Sequence, residues 1–254
     1  MNAIDALDSV AVELTHSNPD REYYWTLQGW RTKETLRLLT EYFPKSTHSK
    51  ILDVGCNPPF LLAALSKLGY EASGFDLWPD RFQDAVELYR LDVRQGNAET
   101  DPLPYPSESF DAVIFTEVFE HLRINPIKTI GELRRVLRPG GFLLLSTPNL
   151  YSLNGLYSLL RYGRANACAT DSLYQQFDAV NRVGIFGHIR EYTWCEVSQF
   201  LVECGFGPVT PYFLGGATKF WPLRPLYRLI PSLKPAVQFI AVKSDTTVAD
   251  TSID

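Results

Sequence analysis

Two short stretches of this chain carry residue types that hold a polar ligand. The first is Asp53-Val-Gly55-Cys-Asn57-Pro-Pro59, which closes the apolar run Ile51-Leu52. A turn at the end of a buried strand lies where open α/β sheets take their ligands. Gly55 has no Cβ to keep a ligand away from the backbone. The helix that follows presents free N–H groups suited to a carboxylate or a phosphate. The second stretch is Gly74-Phe-Asp76-Leu77. Asp76 follows the glycine turn by about 20 residues, the spacing at which an acid accepts two ribose hydroxyls. Read singly, Asp53 is equally a turn cap and Asp76 a helix start. Together, at this spacing, they favour a nucleoside-bearing ligand.

Further along, Glu117-Val-Phe-Glu120-His121 and Gly187-His188-Ile-Arg190 add two histidines, which titrate near neutral pH. Each has a plainer reading. His121 also suits a helix start, bonded to a carboxylate or to the backbone. The His188–Arg190 loop also suits a segment tied by a salt bridge to Glu191 or Glu196. Near the N-terminus, Tyr23, Tyr24, Trp25 and Trp30 either close over a ligand or serve as core.

These residues need a frame, and the chain writes one. Residues 1–20 show no strong period and read as a loose lead-in. A helical segment with Leu36, Leu38, Leu39 and Phe43 ends before Pro44. From residue 50, strands and helices alternate. Strands are expected at 51–54, 70–75, 91–95, 110–116 and 142–146. Helices are expected at 60–68, 79–89 and 126–137, the last opened by Asn125-Pro126 and stopped at Arg138-Pro139-Gly140-Gly141. Strands joined by helices require right-handed crossovers and a parallel sheet covered on both faces. After Pro148 the rhythm breaks, and residues 149–190 read as a lid or substrate-binding insertion. Thr193-Trp-Cys-Glu196 is a capping box opening a helix to about Cys204. Strands follow at 209–213 and 237–242. The organisation is an N-terminal segment 1–44, a main domain 45–243 with insertions at 149–190 and 214–235, and a frayed tail 244–254.

Composition narrows the function. The 254 residues are 45% hydrophobic and 21% charged, ordinary for a chain that folds around a core. The net charge of -5 disfavours non-specific nucleic-acid binding. No apolar run reaches the ~18 residues of a membrane span, and no secretory signal is read at the N-terminus. Cys56, Cys168, Cys195 and Cys204 form no C-x-x-C pair. Free thiols in the cytoplasm are expected, with no zinc site and no metal dependence. Residues 205–243 hold no acid but five cations. Their aromatic, basic portion at 215–235 reads either as a cap on the sheet edge or as a peripheral contact with an anionic membrane.

The ordered set ILDVGC (51–56), GFDL (74–77), GNAE (96–99), LPYPSESFDAVIFTEVFEHL (103–122), ELRRVLRPGGFLLLSTPN (132–149) and GHIREYT (187–193) resembles the class I S-adenosylmethionine-dependent methyltransferases. Within them it is most similar to the small-molecule branch acting on quinones, phenols, lipids and sugars. The resemblance implies a doubly wound α/β sheet of seven mostly parallel strands, the last antiparallel. It implies S-adenosylmethionine as cofactor and a small-molecule, sugar or lipid-linked acceptor. Asp53 and Gly55 would border the methionine, Asp76 the ribose, and Leu77, Asn97 and Ala98 the adenine. Glu117 would lie under the sulfonium. His121 or His188 would take a proton from a hydroxyl acceptor. Arg190, Tyr24 and Trp30 would meet the acceptor. Asn57 and Pro59 stand where the family carries glycines, so contacts at that helix start must differ. A nicotinamide-dependent oxidoreductase and an inactive cofactor-binding regulator are the alternatives. The absence of G-x-G-x-x-G weighs against the first.

Overall fold

The computed structural model describes residues 2–16, 18–44, 49–165, 172–183, 187–215 and 223–244. Strands β1 (Lys50–Val54), β2 (Glu71–Asp76), β3 (Asp92–Gln95), β4 (Phe110–Thr116), β5 (Leu137–Pro148), β6 (Phe206–Leu214) and β7 (Ala236–Lys243) form one sheet. Its order is β3-β2-β1-β4-β5-β7-β6. The first five strands are mutually parallel, and β7 runs antiparallel between β5 and β6. This is the expected fold class.

Helices α3 (Phe60–Lys67), α4 (Gln83–Tyr89) and α5 (Pro126–Val136) connect the parallel strands. Asn125 caps α5 by accepting from the Lys128 N–H, with Pro126 at the first turn. The sheet buries both faces. One side packs Leu62, Leu65, Ile51, Ile114 and Leu144. The other packs Leu52, Val113, Phe115, Leu143 and Phe239.

Two expectations need correction. Residues 1–20 are no loose lead-in. They hold helix α1 (Ala3–Thr15), capped by Asn2, and the start of α2 (Pro19–Tyr42), capped by Asn18. Helix α1 buries Ala6, Leu7, Val10, Ala11 and Leu14 in the same core as α3. The period at i, i+1, i+4, i+5 and i+8 is helical, but short alanines dilute it. The described part of 149–190, where the rhythm of the sequence breaks, is mostly helical, with α6 (Leu153–Tyr162) and α7 (Leu173–Val183). Arg138–Gly141 does not separate helix from strand, because β5 already begins at Leu137.

Helix α8 (Trp194–Glu203) opens on the expected capping box, with Thr193 and Glu196 satisfying each other's backbone N–H groups. Between β6 and β7 lie α9 (Leu223–Leu229) and a 3₁₀ turn at Pro231–Leu233. Asn149 Nδ2 donates to the carbonyls of Ser232 and Lys234 and fastens this connection to the end of β5. Residues 216–222, with Lys219, Phe220 and Trp221, lie outside the described residues, as do Cys168 and the tail from 245. Cys56, Cys195 and Cys204 are free thiols. Among the described residues no helix is long and apolar enough to cross a membrane.

The docking of α1 gives a direct check. Leu7 is fully buried and Val12 is 69% exposed. Leu7→Ala is expected to destabilise the protein by about 2–5 kcal/mol, whereas Val12→Ala stays within roughly 0.5 kcal/mol. Urea unfolding midpoints measure both. Equal, negligible effects would return 1–15 to a loose lead-in.

Candidate active site

Strand order reverses on either side of β1. The loops after β1 and β4 diverge there and leave a crevice at the carboxyl ends of the strands. A cleft of about 450 Å³ fills it, bordered by Gly55, Asp76, Leu77, Asn97, Ala98 and Glu117. That volume lies within the range of about 300–1,000 Å³ usual for small-molecule sites. A recess of about 50 Å³ shares Tyr24, Gly55, Asn57 and Glu117 with the cleft and adds Asp53. All seven residues expected to hold the cofactor therefore meet at one cavity system.

Asp53 and Asp76 end adjacent strands, with Asp53 in register with Gly74. Asp53 is 3% exposed. Burial raises its carboxyl to about 7, and the nearby Asp76 charge adds to the rise. Asp76 accepts from the Asn57 N–H at 3.2 Å and from the Trp78 N–H at 2.9 Å. Asn57 also donates from Nδ2 to the Trp78 carbonyl at 3.1 Å. It thus ties the loop after β1 to the loop after β2, a bridge no glycine makes. Its Oδ1 is buried without a partner. Pro59 stands at the N-cap of α3 and supplies no side-chain cap. Gly55 has φ +79, and a Cβ there would lie 2.4 Å from Val118 Cγ2. Any other residue would be strained and would push Val118, which itself borders the cleft.

Glu117 follows β4 with φ +56, a left-handed backbone for a residue that pays a steric penalty for it. Its surroundings enforce the bend. The Glu117 N–H donates to the Ser146 carbonyl at 3.1 Å, and Ser146 Oγ donates to its Oε1 at 2.8 Å. Its Oε2 accepts from the Arg31 guanidinium. Arg31 comes from α2 and is steadied by Gln28 Oε1 at 2.9 Å. Tyr24, one face of the same helix, borders both cavities, and burial with the Glu117 charge pushes its hydroxyl up to about 12. Sequence reading missed Arg31, and also Arg21, which is buried and pairs with Asp84. An arginine on a polar helix gives no local sign of a partner 86 positions away.

The two histidines meet, with ring centroids 4.9 Å apart at 78°. His121 borders the cleft, and His188 stands outside its lining. His121 Nδ1 lies 2.7 Å from the Gly187 carbonyl. Burial lowers the pKa of His121. His188 falls to about 4 through burial and the neighbouring His121 and Arg31. Behind them Glu120 is completely buried, and its carboxyl is pushed well up by burial and by Glu117. No metal-ligand spacing is visible along the chain, yet one ligand atom each from Glu120, His121 and His188 falls within 4.8 Å of the others.

Of the residues expected to meet an acceptor, only Tyr24 borders the cleft. Arg190 donates to Glu196 at 2.6 Å and lies over the Tyr192 ring, the salt-bridged loop that was its plainer reading. Trp30 is stacked by Arg31 and lies close to Gly215. The described parts of 149–183 contribute nothing to the cleft lining; Asn18, Asp20 and Arg21 of the N-terminal helices do.

Known proteins resemble this chain in sequence and in fold. Residues 52–145 match the family described as a methyltransferase domain. An uncharacterized methyltransferase of Schizosaccharomyces pombe is 28% identical over 154 residues, 55% of this chain and 54% of that protein. A ubiquinone biosynthesis O-methyltransferase of Xanthomonas campestris pv. campestris is 34% identical over 106 residues, 40% of this chain and 44% of the relative. The chain thus spans about half the length of the curated relatives it matches. A solved SAM-dependent methyltransferase from Archaeoglobus fulgidus superposes with a TM-score of 0.57 at 18% identity, covering 87% of this chain and 99% of that one. Residues 52–145 therefore carry a methyltransferase domain, on the fold of the solved SAM-dependent methyltransferases.

Proposed function

We propose that the protein binds S-adenosylmethionine in this cleft and passes its methyl group to an oxygen of a small molecule, such as a phenol, a sugar or a lipid-linked precursor. One observation carries the reading: Asp53 and Asp76, at neighbouring strand tips, border one cavity system. The cofactor is a cation with two ribose hydroxyls. Two carboxylates, the orphaned Asn57 Oδ1 and the bare backbone at Gly55 suit it. When bound, it supplies an activated methyl group on a sulfonium, so the chain has chiefly to align two reactants.

The residues then divide as follows. Asp76, held open by the Asn57 and Trp78 N–H groups, accepts the ribose hydroxyls. Leu77, Asn97 and Ala98 flank the base. Asp53 and Gly55 take the amino-acid end in the recess. Glu117, fixed by Arg31 and Ser146, sets negative charge beside the sulfonium. His121 marks the acceptor's side of the cleft. The O-methyltransferase relative favours oxygen as the nucleophile. A nicotinamide cofactor needs close approach of a pyrophosphate to several backbone N–H groups, and Pro58 and Pro59 have none to offer. Titration with S-adenosylmethionine and with NADPH separates the two cofactors. Release of S-adenosylhomocysteine over a panel of phenols, sugars and prenylated quinol precursors separates an enzyme from an inactive regulator.

Removing the Asp76 carboxylate should weaken S-adenosylmethionine binding roughly 10- to 100-fold, since a hydrogen bond to a charged group is worth ~1.5–3 kcal/mol. Calorimetric titration of Asp76→Ala reads this, and an unchanged Kd would end the assignment. Asp53 predicts a pH dependence. Its folded pKa of about 7 lies above the ordinary 3.8. The free protein therefore holds a proton that the unfolded chain has lost, and its stability falls as pH rises across that window. A cationic cofactor favours the ionised form, so affinity should rise by roughly tenfold from pH 6 to pH 8, with proton release near pH 7. Asp53→Asn should flatten that profile. Calorimetry in buffers of different ionisation enthalpy measures the protons released.

A further inference from the structure

Glu120 is the most anomalous side chain in the described structure. It is 0% exposed, and neither carboxylate oxygen has a hydrogen-bond partner. His188 Nε2 lies 3.7 Å and His121 Nε2 4.0 Å from Oε1, and the Thr147 hydroxyl also faces the carboxyl. Both histidine distances exceed the ~3.2 Å limit of a good hydrogen bond. An isolated buried carboxyl is expensive, so three inward-facing donor atoms that do not bond one another call for a fourth body between them.

The surroundings hold these atoms in place. His121 Nδ1 donates its proton to the Gly187 carbonyl at 2.7 Å, which leaves the Nε2 lone pair facing Glu120. Metal-bound histidines are oriented by this kind of backbone bond on the far nitrogen. The loop carrying His188 is pinned to the same residue, since the Ile189 N–H donates to the Glu120 carbonyl at 2.9 Å. Gln176 of α7 donates to the His188 carbonyl. Glu117 is not available to join them, because Arg31 and Ser146 occupy its oxygens. The three ligand atoms span at most 4.8 Å. A tetrahedral site with bonds near 2.1 Å has ligand–ligand edges of about 3.4 Å. The three atoms close to that spacing by side-chain adjustments of about an ångström or less.

We propose that Glu120, His121 and His188 form a binding site for one divalent transition-type cation in the wall of the cleft. Two imidazoles and one carboxylate suit Zn²⁺, Mn²⁺, Fe²⁺ or Co²⁺, whereas Mg²⁺ prefers an all-oxygen shell. Three protein ligands leave coordination positions open, the pattern of a working rather than a structural site. Because His121 itself borders the cleft, those positions face the acceptor. The catalytic consequence rests on the methyltransferase reading. A hydroxyl oxygen of the acceptor binds the cation and releases its proton to solvent. The same oxygen then forms the bond to the methyl carbon as the carbon–sulfur bond breaks, and the cofactor leaves as a neutral thioether. Acceptors with a phenolic or vicinal hydroxyl are the chemical class this favours.

The test is metal binding itself, on the full chain stripped with EDTA and titrated with Co²⁺ as an optical probe. One Co²⁺ per chain is expected, with visible absorption bands displaced by Zn²⁺ and not by millimolar Mg²⁺. Glu120→Gln and His188→Ala should each weaken Co²⁺ at least tenfold, while calorimetric S-adenosylmethionine affinity stays within threefold of the parent. Because Glu120→Gln risks misfolding, His188→Ala and circular dichroism of both variants keep the test decisive. Absence of saturable Co²⁺ binding, or equal binding by parent and well-folded variants, overturns the site. Cofactor binding without Co²⁺ binding would sink only the metal. Co²⁺ binding without cofactor binding would sink only the methyltransferase reading.

Discussion

The reversal of strand order at β1 governs the rest of this structure. The chain enters the sheet at its centre, builds β2 and β3 to one side, then crosses to build β4 and β5 on the other. Right-handed crossovers place the connecting helices of the two halves on opposite faces. The loops leaving β1 and β4 must therefore part, and the crevice between them is a consequence of topology before any side chain is considered. Asp53, Asp76 and Glu117 reach one cavity because each ends or follows a strand that flanks this parting.

Around the crevice, the polar groups are held by one another rather than by solvent. Asn57 joins the loops after β1 and β2 through the Asp76 carboxylate and the Trp78 carbonyl. Arg31 and Ser146 secure Glu117 in a left-handed backbone conformation that its neighbours must enforce. Glu99, also buried, accepts from the Arg123 and Ile124 N–H groups and so anchors the turn that carries His121. Each of these bonds spans chain separations of 19 residues or more. A site of this kind is preorganised: the side chains wait in ligand-ready positions, and binding need not order them.

Two elements depart from a bare methyltransferase sheet. Helices α1 and α2 pack on α3 and present Asn18, Arg21, Tyr24 and Arg31 to the cavity system. They bury enough apolar surface, through Leu7, Val10, Leu36 and Leu39, to be part of the core and not an appendage. At the opposite side, the Gly187–Arg190 loop brings His188 to Glu120 and His121. This contact gives that wall of the cleft a chemical character distinct from the wall that carries Asp53 and Asp76.

Periodicity, punctuation and end signals are local, and the sequence alone determined what depends on them. The five parallel strands, the Asn125-Pro126 helix start, the Thr193–Glu196 capping box and the acids at 53 and 76 were all legible, since each is written within a few neighbouring residues. The α1 helix was missed because alanines blur its apolar stripe, and α6 and α7, although amphipathic, because Gly, Asn and Arg interrupt their apolar positions along the sequence. The partners of Glu117, Glu120 and Arg190 were decided only in three dimensions. Arg190 turned to Glu196, six residues on, while Arg31 turned to Glu117 across 86 and His188 to Glu120 across 68. A charge carries no mark of which opposite charge will reach it. Burial selects the partner, because a charged group inside the fold must find one within a few ångströms or remain as exposed in energy as Glu120.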